Sequence, residues 1–102
     1  MGIGSHLTTV RIIGPSMEPA LRTGDCWVVR LGARVSPGDV VFAVHPLRPD
    51  LRIVKRAIRR EGTGWWIEGD NPDSSDDSRS FGPVDEVLGK LVFRYSPLIR
   101  RG

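Results

Sequence analysis

Lys55 interrupts an otherwise apolar alternation in Leu51-Arg-Ile-Val-Lys-Arg-Ala-Ile58. Side chains alternate along a strand, so Leu51, Ile53, Lys55 and Ala57 fall on one face. With thirteen arginines and two lysines in the chain, a lysine here is a specific choice of cation. Arginine keeps its proton in proteins, whereas a buried lysine can lose it near neutral pH. A neutral amine is a base. The hydroxyl it could deprotonate belongs to Ser16, in Gly14-Pro-Ser-Met-Glu-Pro19, between two prolines where a strand ends and a helical turn begins. Backbone N–H groups at such a turn can face an oxyanion. A serine becomes a nucleophile only when a neighbour takes its proton. The two histidines, His6 near the terminus and His45 beside Pro46, offer no convincing catalytic setting. Lysine can replace histidine without a third triad member.

Taken alone, a turn serine is usually structural and a strand lysine usually snorkels to solvent. A third segment changes the balance: Gly69-Asp-Asn-Pro-Asp-Ser-Ser-Asp-Asp-Ser-Arg-Ser-Phe-Gly-Pro-Val84. As a calcium loop it fails, with no central glycine and no terminal glutamate at EF-hand spacing. No His/Cys cluster suggests zinc. We therefore expect no metal and no cofactor.

Four segments together resemble the type I signal peptidase superfamily of serine–lysine endopeptidases. They are Ser16-Met-Glu-Pro-Ala-Leu-Arg-Thr-Gly-Asp25, Pro37-Gly-Asp-Val-Val-Phe42, Val54-Lys-Arg-Ala-Ile58, and Gly69-Asp-Asn with Ser75 and Asp77-Ser-Arg79. The resemblance implies Ser16 as nucleophile and Lys55 as general base. It implies that Ser75 orients the amine and that Asp77 and Arg79 form a bracing ion pair, joined by Arg56 from the opposite strand face. Gly69 would let the backbone pass close to the lysine. A serine found in some members two residues before the nucleophile is Gly14 here, so oxyanion binding would rest on backbone donors, chiefly the Ser16 N–H. Ala20 stands where threonine is common. The membrane anchor and extra β-domain usual in the superfamily are not seen, which implies a soluble, minimal peptidase of the S24/S26 kind. Gly64-Trp-Trp-Ile-Glu-Gly-Asp-Asn71, Ser75–Arg79 and Leu91-Val-Phe-Arg-Tyr-Ser-Pro97 are similar to nickel-type superoxide dismutase maturation proteases. That similarity implies a polypeptide substrate, the leader-bearing apo-dismutase.

The elements that must hold these groups are short strands. Thr8–Ile13, Cys26–Leu31, Val40–Val44, Leu51–Glu61, Trp65–Glu68 and Val87–Tyr95 are β-prone runs separated by turn residues. Gly62-Thr-Gly64 reads as a hairpin turn, Ser16–Leu21 as one helical turn, and His45–Asp50 and Gly69–Pro83 as loops. The expected fold is a mainly β, antiparallel single domain over 1–102, with one or two short helical turns and the architecture of a signal peptidase or repressor-like catalytic core. An extended substrate would lie along Ile12, Ile13 and Met17 on one side and Ile53 and Val54 on the other.

The chain has 102 residues, 39% of them hydrophobic and 26% charged, which excludes disorder and leaves room for a modest core. No uncharged stretch approaches the ~20 residues that span a bilayer, so we expect no integral membrane segment. The absence of a charged-then-apolar leader points to the cytoplasm. Cys26 cannot form an internal disulfide and reads as a small core residue. A net charge of +3, with arginines spread over most strands and a solvated Arg100-Arg101 tail, gives no dedicated nucleic-acid surface. Three rivals stand: a general signal peptidase-like enzyme; a self-cleaving, repressor-like protease, which lacks the usual Ala-Gly or Cys-Gly site; and a basic β-barrel stacking bases on Trp65, Trp66 and Phe93.

Overall fold

β-Branched and aromatic side chains fit a pleated, half-buried surface, and here they form six strands. The computed structural model describes residues 6–74 and 76–99; Ser75 and the Arg100-Arg101 tail lie outside them. The strands are β1 (His6–Arg11), β2 (Cys26–Leu31), β3 (Val40–His45), β4 (Arg48–Glu61), β5 (Gly64–Glu68) and β6 (Val87–Ser96). They make one antiparallel sheet in the order β1-β2-β6-β3-β4-β5. The final strand thus inserts between β2 and β3.

β4 is longer than its apolar pattern suggests. The expected loop from His45 to Asp50 shrinks to a turn at Pro46-Leu47, and Arg48, Pro49 and Asp50 already belong to the strand. Pro49 is tolerated because this half of β4 pairs only with β3 among the described residues. Ser16–Leu21 forms turns rather than a regular helix, held by Glu18 N to Pro15 O and Leu21 N to Met17 O. The helix is instead α1 (Ser78–Phe81), inside the segment expected to be loop. Asp77 caps it by accepting from Arg79 N.

Two apolar clusters lie on opposite faces of the sheet. Val41, Ala43, Ala57, Trp65, Ile67 and Val84 fill the first, with Ile53 and Phe81 packed against it. Ile12, Met17 and Leu21 fill the second, under Val10, Trp27, Val40, Val54 and Leu91. Each fully buried aliphatic side chain contributes about 1.5–3 kcal/mol. Because Val41 faces Lys55 across the β3–β4 ladder, Lys55 shares the side of the first cluster. Cys26 belongs to neither; it is half-buried on β2, its thiol donating to Gly24 O. Arg59 and Arg60 stack on Trp66 and Trp65 at 4.7 and 5.3 Å, so the chain's own cations already sit on those rings. No described helix is long and apolar enough to cross a membrane.

Candidate active site

Lys55 is only 6% exposed. Burial disfavours its ammonium and holds its pKa below the ordinary 10.5, opposed by the nearby Asp77 and Asp76 carboxylates and assisted by Arg79. Its side chain borders a cleft of about 390 Å³ that Ser16 also lines. The walls are continuous stretches of two strands, Val10–Ile13 leaving β1 and Leu51–Lys55 in β4, with Met17 and Phe42 between them. β1 pairs only with β2, and the Leu51–Lys55 part of β4 only with β3, among the described residues. A strand that is unpaired on one side offers a row of N–H and C=O groups to an extended peptide.

Ser16 is positioned through its backbone. Its carbonyl accepts from Asn71 N at 3.0 Å, and the Asn71 side chain donates Nδ2–H to Pro15 O, also at 3.0 Å. Asn71 therefore clamps the peptide entering the nucleophile. No local pattern marks Asn71 for this role; its Oδ1 also accepts from Asp73 N, closing a turn that Asn-Pro favours. A Cβ on Gly69 would stand 2.7 Å from Ser16 O, so this glycine permits a close approach to the serine carbonyl. Gly69 N–H in turn donates to Asp77 Oδ2 at 2.8 Å.

Asp77 is fully buried. Burial alone would raise its pKa, but hydrogen bonds from the Arg79 side chain and from the Gly69 and Arg79 backbone hold it below the ordinary carboxylate value. Arg79 reaches it through Nε at 3.0 Å and through its terminal nitrogen at 2.6 Å. Next to it, Ser78 Oγ accepts from Ile67 N at 2.8 Å, tying α1 to β5.

The family model described as Peptidase S24-like matches residues 2–92. This chain belongs to the peptidase S24-like family. Mitochondrial inner membrane protease subunit 1 of Xenopus tropicalis is 35% identical, over 83% of this chain and 66% of its own length. The human subunit 1 is 32% identical, over 83% and 67%. Subunit 2 of Bos taurus is 35% identical, over 79% and 59%. The chain thus spans about two thirds or less of the length of these relatives.

Within this chain, several expected site residues take other places. Arg56 does not join Asp77 and Arg79. It pairs with Asp70 (Nε to Oδ1 3.0 Å, terminal nitrogen to Oδ2 2.7 Å) and donates to Gly38 O at 2.8 Å. The register explains this. Arg56 opposes Glu68, so Asp70, two residues on, lies on the same side, whereas Asp77 lies on that of Lys55. Ile12 and Met17, expected along the substrate, are buried in the second cluster and form the floor of the cleft. Ile13, 84% exposed, stands on its rim with Leu51. Ile53 and Val54 line the facing wall. Gly14 has φ 91, a left-handed conformation that a serine would adopt only with strain. Ser75, expected beside the amine, is outside the described residues.

Proposed function

We propose that this peptidase is a serine endopeptidase in which Ser16 is the nucleophile and Lys55 the general base. The observation that carries the reading is a buried lysine, destabilised as a cation, on the same cleft as a serine whose own carbonyl and that of the preceding Pro15 are both held by Asn71. An extended substrate adds to the free strand edges and brings its carbonyl to Ser16. Neutral Lys55 takes the hydroxyl proton as Oγ attacks, and the Ser16 N–H stabilises the oxyanion. The Lys55 ammonium then protonates the leaving amine, and water deprotonated by Lys55 hydrolyses the acyl-enzyme.

The reaction we assign is removal of an N-terminal leader in the cytoplasm, with the leader of apo nickel superoxide dismutase as substrate. Support for that substrate is the resemblance of Gly64–Asn71, Ser75–Arg79 and Leu91–Pro97 described above. The relatives at 32–35% identity carry a different name, mitochondrial inner membrane protease, so the test runs two substrates side by side. Leader-bearing apo-dismutase and a secretory preprotein are incubated with the protein, and new N-termini are read by mass spectrometry. Release of the dismutase leader alone supports the assignment. Processing of only the preprotein overturns the substrate and leaves the chemistry standing.

The pH dependence follows from Lys55. Since its pKa is lowered in the fold, kcat/KM rises with pH over a limb lying below the ordinary lysine range. A rate limb at or above 10.5 in a pH profile on a fixed peptide would count against a desolvated base.

A further inference from the structure

Charge in the cleft is one-sided. Its lining holds Arg11, Arg52 and Lys55 but no aspartate or glutamate. Arg11 ends β1, and Arg52 lies on the half of β4 that pairs only with β3 among the described residues. The two arginines therefore belong to the two strand stretches that line the cleft. Arg52 donates to Pro49 O at 2.9 Å, which directs its side chain without neutralising it. Both arginines are exposed at the surface, and the same lining includes the apolar Ile13, Phe42, Leu51 and Ile53.

We propose that the cleft selects peptides bearing an acidic side chain within about four residues of the scissile bond, held by Arg11 and Arg52. This rests on the Ser16–Lys55 reading and adds the substrate's charge to it. Backbone pairing with the strand edges is blind to sequence, so side chains must supply the discrimination. Opposite charges on neighbouring strands attract and like charges repel. Arg52 lies three residues from Lys55, about 10 Å along the strand and on its alternate face, so an acidic group that meets it sits a few residues from the cut.

The test uses a decapeptide library randomised at every position, digested by the intact protein at low salt, with products sequenced by mass spectrometry. The expected result is Asp or Glu enriched over Lys or Arg by roughly fivefold or more at one or two positions near the cut. The enrichment shrinks in high salt and reverses in the double variant Arg11→Glu/Arg52→Glu. Cleavage with no charge preference, or with a basic one, overturns this inference alone. No cleavage of any peptide, under conditions where the protein is folded by circular dichroism, brings down the serine–lysine reading as well. If the double variant unfolds, the wild-type enrichment and its salt dependence decide.

Discussion

Ser16→Ala and Lys55→Ala each lower kcat by about 10⁴-fold or more on any peptide the wild type cleaves, because nucleophile and base act as a unit. The double variant is no worse than either single one. Lys55→Arg fails equally, since arginine keeps its proton and cannot accept the one on Ser16. Stability moves the other way. A lysine whose pKa is lowered in the fold is penalised wherever the folded state must protonate it. The unfolded chain binds that proton more readily, so this contribution to stability rises with pH between the folded and the ordinary pKa. Lys55→Met removes the buried amine and keeps its length, so it melts at the same or a higher temperature at neutral pH while losing activity. Thermal unfolding and single-turnover cleavage on the same preparations separate the two effects. Retention of more than a tenth of wild-type activity in either alanine variant sinks the mechanism.

The strands were legible because Val28, Val29, Val40 and Val41 and their alternating neighbours carry the period of two, and Lys55 was legible as the break in it. The same pattern names a residue's face but not its partner. Nothing local in Val87–Ser96 indicates that β6 pairs with β2 and β3, so the strand order was out of reach. α1 was readable in principle: Asp77 as N-cap and Gly82 just past Phe81 frame one turn, but five acidic or hydroxyl neighbours upstream made the whole segment read as loop. The carboxylate that Arg56 meets depends on the β4–β5 register, which brings Asp70 rather than Asp77 beside it. Asn71 escaped for a related reason. Its hydrogen bonds to Pro15 and Ser16 span more than fifty residues, a distance no short motif encodes.

Those long-range bonds make Asp77 the second sensitive position. Its carboxylate is buried and accepts from Gly69 N and Arg79 N; through Gly69 it holds the segment following β5 whose Asn71 clamps Ser16. Asp77→Ala leaves both backbone donors without their acceptor, at a cost of about 1–3 kcal/mol. Arg79, half-exposed, can turn to water. The sign of the pH effect is set by the lowered pKa of Asp77. The stability it contributes is present above the ordinary carboxylate pKa and is lost as pH falls through the folded value. The wild type and Asp77→Ala should therefore differ most in melting temperature near neutral pH and converge in acid. A gap that stays constant down to pH 2 would show that the carboxylate's charge is irrelevant. Gly69→Ala tests the next link, since its Cβ would stand 2.7 Å from Ser16 O and must push that carbonyl or β5 aside. Such a displacement lowers kcat on the scale of a misplaced nucleophile, on the order of 10²-fold, with KM for a long peptide little changed. If Gly69→Ala instead raises KM and spares kcat, the glycine shapes the peptide cleft and Ser16 is positioned by other contacts.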